Sequence, residues 1–174
     1  MRVIAGEFRS RKLLSPEGFE TRPTSDRLRQ TLFNILGGEV EGCVFADLYA
    51  GSGAVGIEAL SRGARLAFFV EKDKRAIEVI EENLANLKIA GRARVIRGHV
   101  VPNLEKVDAG IVFVDPPYTK EREYQAAMDV LEANPPGLTV VQHSVRLALA
   151  ENFGPMRRVR VLKQGENALS FYRP

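Results

Sequence analysis

The chain has 174 residues, 45% hydrophobic and 27% charged, which is enough for one buried core and too little for two at roughly 100–200 residues per domain. Its lone cysteine, Cys43, excludes a disulfide framework and a cysteine-rich zinc site, and its apolar surroundings read as core. The net charge of +3 is unevenly spread: residues 1–29 carry seven Lys/Arg against four acids, residues 155–174 five against one, and the middle is acidic.

Two basic ends fit either a solvated surface or a phosphate-binding face built from both termini, and charge alone does not choose between them. No apolar run approaches the ~20 residues of a membrane-spanning helix. Met1-Arg2-Val3-Ile4-Ala5-Gly6 lacks a signal-peptide core. A cytoplasmic protein is expected.

In chain order, residues 1–14 read as a basic hairpin closed by Ser15-Pro16-Glu17-Gly18. Thr24-Ser25-Asp26 then caps a helix whose apolar residues, Leu28, Leu32, Phe33, Ile35 and Leu36, recur until Gly37-Gly38. Residues 1–38 are thus set apart as an extension ahead of a domain over 39–174. From Cys43 onward, strands at 43–48, 66–71, 94–97, 110–114 and 138–142 alternate with helices near 54–63, 74–89 and 121–133 and a short one after Arg97. Strands near 157–163 and 168–172 end the chain. Apolar strands separated by helices imply an α/β fold with a mainly parallel sheet, whose ligands bind beyond the strands' carboxyl ends.

Three motifs fall at such ends. Asp47-Leu48-Tyr49-Ala50-Gly51-Ser52-Gly53-Ala54-Val55-Gly56 follows the first strand, and Glu71 ends the second, 20 residues after Gly51. The spacing Gly51-x-Gly53-x-x-Gly56 matches a dinucleotide fingerprint, whose glycines let backbone approach the ligand. Asp47, however, would repel a pyrophosphate and suits the cationic amino group of S-adenosylmethionine. Tyr49, Ser52 and Lys72 flank these positions as further cofactor candidates. Glu71 is placed to accept ribose hydroxyls. At the third strand end, His99 offers a neutral imidazole as acceptor for the adenine amino group, with an exposed surface histidine as the alternative.

Val112-Phe113-Val114-Asp115-Pro116-Pro117-Tyr118 is the most specific feature. Two prolines end any ladder and hold acid and aromatic rigidly at the strand's end. A base's exocyclic amine is a poor nucleophile because its lone pair is delocalised into the ring. Bonds from its two N–H groups to the Asp115 carboxylate and the Pro116 carbonyl favour a pyramidal nitrogen aimed at a methyl carbon, and Tyr118 can stack on the base. In-line displacement from a sulfonium requires no metal. His143 has no partner at metal-ligand spacing and reads as a structural or surface residue.

The ordered set resembles the bacterial small-subunit (16S) rRNA guanine-N2 methyltransferase family over nearly the whole chain. The resemblance rests on Arg2-Val3-Ile4-Ala5-Gly6-Glu7-Phe8-Arg9-Ser10-Arg11-Lys12-Leu13, the stretch Arg22-Pro23-Thr24-Ser25-Asp26-Arg27-Leu28-Arg29-Gln30-Thr31-Leu32-Phe33-Asn34, the glycine loop, Asp115-Pro116-Pro117-Tyr118 and a closing Gly165–Tyr172 hairpin. It implies a single class I S-adenosylmethionine methyltransferase domain with a mostly parallel seven-stranded sheet and an antiparallel last strand. It also implies a guanine of 16S rRNA or the assembling small subunit as target, and a monomer. RNA contacts are then expected from Arg2, Arg9, Arg11, Lys12, Arg22, Thr24, Arg27 and Asn34, with 22–34 folded over the cleft. His99 departs from the acid usual in this family. A DNA or RNA adenine-N6 methyltransferase, a noncatalytic RNA-binding factor and a nicotinamide oxidoreductase are the competing readings.

Overall fold

The computed structural model describes residues 1–16, 25–117 and 121–174. Arg22, Pro23, Thr24 and Tyr118 lie outside the described residues. Helix α1, Asp26–Leu36, begins where the Ser25 hydroxyl accepts the Leu28 N–H and stops at Gly37, whose φ of 52° breaks the helical path. Its buried stripe is Leu28, Arg29, Leu32, Phe33 and Leu36. The expected run of elements then follows as β1 Val44–Leu48, α2 Ala54–Ser61, β2 Leu66–Glu71, α3 Lys74–Asn86, β3 Ala93–Arg97, α4 Val100–Asn103, β4 Ile111–Val114, α5 Glu121–Leu131, β5 Leu138–Ser144, β6 Asn152–Phe153, β7 Met156–Gln164 and β8 Asn167–Arg173.

The strands form one sheet in the order β3-β2-β1-β4-β5-β8-β7-β6. The first five are parallel, and β8 enters antiparallel to both β5 and β7. The two-residue β6, paired to β7, is an eighth strand beyond the seven expected. Side chains alternate between the sheet's two faces. Phe45, Phe69, Phe113, Val140 and Phe171 pack under α1, α2 and α3. Ala46, Val70, Val112, Val141 and Tyr172 pack with Tyr124, Met128 and Leu131 of α5. Each fully buried Phe, Val or Leu stabilises the fold by about 1.5–3 kcal/mol.

Residues 1–14 fold back on themselves as the expected hairpin, joined by the antiparallel Arg2–Lys12 bridge and by bonds from the Val3 N–H to the Arg11 carbonyl at 2.9 Å, the Ser10 N–H to the Val3 carbonyl at 2.9 Å and the Leu13 N–H to the Met1 carbonyl at 3.0 Å. The backbone groups between its two arms go to α2. Glu58 accepts the N–H groups of Ile4 and Ala5 at 2.8 and 3.0 Å, Ser61 Oγ accepts from Phe8 at 3.0 Å, and the Ser61 carbonyl accepts from Glu7 at 2.8 Å. Gly6, with φ +81°, lies so close that an added Cβ would sit 1.9 Å from the Ser61 carbonyl oxygen. Val3 and Leu13 join the same apolar cluster as α1 and α2. Cys43 is half-buried against it, and burial pushes its thiol up to about 11.

Candidate active site

The parallel strands bring their carboxyl ends to one edge, and side-chain alternation decides which acids meet there. Phe45 of β1, Phe69 of β2 and Phe113 of β4 point toward α1–α3. Asp47 and Glu71 each lie two residues beyond one of these phenylalanines in the same strand, so the pleat turns both carboxylates to that side, and Asp115, one residue past the end of β4, is near enough for its charge to act on Asp47.

Asp47 is 2% exposed, and its Oδ2 accepts the Gly56 N–H at 2.8 Å, bracing the corner between β1 and α2. Burial above all, with the negative charges of Asp115 and Glu71, holds its carboxyl well above the usual carboxylate range; the Gly56 bond and Arg29 oppose the shift. A carboxyl whose folded-state pKa exceeds its unfolded value favours folding at low pH. That contribution is lost as pH rises from the ordinary carboxylate range through the raised value. Asp47→Asn keeps an acceptor for Gly56 and removes the titration. In urea unfolding at pH 5 and pH 8, the variant is expected to be the more stable protein at pH 8 and to lose less stability between the two.

The three glycines are required for different reasons. Gly51, at φ +55°, has open space where a Cβ would project. A Cβ on Gly53 would press on Ile80 and Phe69 at 3.2–3.3 Å, and one on Gly56 would lie 2.4 Å from Phe69 Cε1. The backbone-to-ligand reading therefore applies to Gly51, whereas Gly53 and Gly56 are held to glycine by internal packing. Gly56→Ala is expected to cost about 1–3 kcal/mol by overpacking. Gly51→Ala is expected to cost about 1–2 kcal/mol of left-handed strain and, unlike Gly56→Ala, to place its methyl in the open crevice and weaken cofactor binding. Thermal melts with and without S-adenosylmethionine separate the two effects.

Glu71 ties this loop to the next. Its carboxylate accepts N–H groups from Gly51 at 2.9 Å, Lys72 at 2.8 Å and Asp73 at 2.9 Å. Tyr49 holds a positive φ of 64°, rare for a non-glycine residue. Its hydroxyl donates to Glu123 Oε2 at 2.9 Å, and burial together with that bond raises its pKa. One residue on in α5, buried Tyr124 donates its hydroxyl to the Pro116 carbonyl at 3.2 Å. The start of α5 thus braces both the glycine loop and the Asp115-Pro116 turn. Pro117 is exposed. Ser52 presents its carbonyl to the Asn83 amide at 3.2 Å, and Asn83 also binds Leu14 through both its carbonyl and its N–H.

Other expected residues fall further out. His99 is exposed just before α4, with its carbonyl bonded to the Asn103 amide at 2.8 Å. The Lys72 side chain is exposed, as are Arg2, Arg9, Arg11, Lys12 and Arg27; Asn34 is exposed in the last turn of α1. Arg29 does not belong with the surface cations. It is 0% exposed, bonded through Nη2 to the Arg2 carbonyl and Asp26, and lies 3.9 Å from Glu58. Its Nε and Nη1 make no hydrogen bond among the described residues. Desolvation lowers its pKa against the attraction of Glu58, Asp26 and Asp47. His143 is structural as read: its ring nitrogens face the Ser144 carbonyl and Ser170 Oγ, both at 2.8 Å.

A family model described as "Conserved hypothetical protein 95" matches residues 1–173. The chain belongs to this family. It is 34% identical over 99% of its length, and 98% of the relative's, to the "Putative rRNA methyltransferase YlbH" of Bacillus subtilis. It is 43% identical over 69% of its length, and 61% of the relative's, to the "Ribosomal RNA small subunit methyltransferase D" of Escherichia coli. The solved structure titled "Putative methyltransferase yhhF from Escherichia coli" superposes with a TM-score of 0.85, at 36% identity, covering 99% of this chain and 97% of that one. The fold is that of the class I methyltransferases, and the family is the one to which the N-terminal and Asp115-Pro116-Pro117-Tyr118 motifs pointed.

Four residues central to this architecture escaped the sequence reading: Glu58, Asn83, Tyr124 and the buried Arg29. Glu58 had a visible signal, since it is the only charged residue among the eight of α2, all of them buried. An acid in such a helix must be paired. Tyr124 carried none, because an aromatic on a helix's apolar stripe looks like core and is core; only its hydroxyl distinguishes it.

Proposed function

We propose that the chain transfers a methyl group from S-adenosylmethionine to the exocyclic N2 of one guanine in 16S rRNA of the small ribosomal subunit. The observation that carries this reading is the convergence of Asp47, Glu71 and Asp115 on one side of the strand ends, immediately before the braced Pro116 carbonyl. Such a crevice repels a pyrophosphate and attracts a sulfonium with an ammonium tail. The relatives' names supply the rRNA and small-subunit elements of the reading.

When bound, the cofactor supplies an electrophilic methyl carbon on a good leaving group. Asp47 and the Gly51 region would hold its amino-acid tail, Glu71 its ribose, and Tyr49, Ser52, Gly53, Gly56, Lys72 and His99 complete the proposed lining.

Asp115 accepts one N–H of the guanine amino group. The Pro116 carbonyl, with one lone pair occupied by Tyr124, accepts the other with its second. Held so, the nitrogen lone pair forms the new N–C bond as the C–S bond breaks, and Asp115 takes the proton that the methylated nitrogen releases. Tyr118 is the stacking platform for the base. Residues 1–38, with Arg2, Arg9, Arg11, Lys12, Arg22, Thr24, Arg27 and Asn34, form the RNA-facing cover of the 39–174 domain, which acts as a cytoplasmic monomer.

Incubation with methyl-labelled cofactor and 16S rRNA, small-subunit particles or DNA tests the reading. Digestion of the labelled product is expected to yield N2-methylguanosine from rRNA or the particles; label confined to DNA or to adenine overturns it.

A further inference from the structure

Asp115 and Pro116 can hold any base's amino group, so guanine must be chosen by something beside them. On its Watson–Crick edge, the ring atom next to the amino-bearing carbon is a donor, N1–H, in guanine and a lone-pair acceptor, N1, in adenine. A flipped base also loses its paired partner, so that N1–H needs a new acceptor within the protein.

A cavity of about 260 Å³ opens between the end of β5 and the start of α5, lined by Glu121, Tyr124, Ser144, Arg146 and Leu147. It adjoins the proposed methyl-transfer site across Tyr124, which lines it and whose buried hydroxyl donates to the Pro116 carbonyl. Among these five residues the acceptors are few. Tyr124 is engaged with Pro116, Ser144 Oγ accepts the Arg146 N–H at 3.2 Å, Leu147 is apolar, and the Arg146 side chain is a donor beside Glu166. Glu121 brings the one carboxylate. It precedes Tyr124 by three residues, so the two side chains share a face of α5.

We propose that Glu121 selects guanine, its carboxylate accepting the N1–H of a base whose amino group is held at Asp115 and Pro116. The same carboxylate repels the N1 lone pair of an adenine presented in that pose, so one group both accepts the right base and rejects the wrong one. This inference rests on the guanine-N2 reading above.

The test uses the full-length protein and a synthetic rRNA fragment carrying, at the nucleotide the wild type methylates, either guanine or 2-aminopurine. The analogue keeps the 2-amino group, replaces N1–H with a lone pair and lacks the 6-oxo group, so the change of preference in the variants isolates N1. The wild type is expected to prefer guanine by at least tenfold in kcat/KM, and Glu121→Ala to lose about 10–100-fold on guanine, the range of a hydrogen bond to a charged group. Glu121→Gln, whose amide can donate to N1, is expected to narrow the guanine preference by about tenfold, with cofactor affinity and Tm unchanged. A guanine to 2-aminopurine ratio that stays at the wild-type value in both variants overturns the role of Glu121. Absence of N2-methylguanosine from the wild-type product overturns the proposed function itself, and this inference with it.

Discussion

Asp115→Ala is expected to lower kcat by about 10²–10³-fold, the usual loss when one preorganised electrostatic contact to the reacting group is removed. RNA affinity should change little, because in the proposed mechanism the carboxylate would meet the amino group while phosphate contacts would come from exposed arginines and lysines. Asp115→Asn, which keeps one carbonyl oxygen as acceptor, should lose less. Single-turnover methyl transfer at saturating cofactor and RNA measures the effect. Turnover at the wild-type rate in Asp115→Ala would remove the carboxylate from the mechanism. An equal loss in both kcat and RNA affinity would move Asp115 from chemistry to binding.

The largest effect on stability is expected at a residue that touches no substrate. Glu58 is fully buried in α2 and accepts the Ile4 and Ala5 N–H groups and Arg62 Nε, the last at 2.7 Å, beside buried Arg29. Glu58→Ala leaves two backbone donors and the Arg62 Nε without their acceptor and removes the buried negative charge beside Arg29. Breaking one side of a buried pair typically costs about 3–5 kcal/mol, which for a chain of this size corresponds to a fall in Tm on the order of 10 °C. The N-terminal segment should loosen with it, read as faster amide exchange at Ile4, Ala5 and Phe8. A melting temperature within about 2 °C of the wild type would mean that the N-terminal segment is held by Val3, Leu13 and its bonds to Ser61 and Asn83 without help from Glu58.

The two predictions differ in how far the sequence announces them. Asp115 stands in a motif whose chemistry can be read from four consecutive residues, since two prolines after an apolar strand fix the local geometry without help from the rest of the chain. The glycine loop and Glu71 are equally local, as are α1 with its Ser25 cap and Gly37 stop, because periodicity and capping act over a few residues. The N-terminal hairpin was legible for the same reason, but its docking site was not. The partners of its tip, Glu58 and Ser61, lie more than fifty positions away, and no local pattern announces them.

By itself the sequence determined the reaction class, the order of strands and helices and the acids at three strand ends, because each depends on short-range stereochemistry and a period of two or of 3.6. Only the tertiary structure decided what surrounds Asp115-Pro116. The parity of the pleat put Asp47 and Glu71 on one face with Asp115 close by, and burial there raised the pKa of Asp47. Packing of Phe69 divided the glycines into one that faces the crevice and two that face the core. The passage of α5 across the ends of β4 and β5 brought Tyr124 to the Pro116 carbonyl and Glu121 to the adjoining cavity. These contacts join residues from separate strands and helices, and distances of that kind are set by how the layers pack.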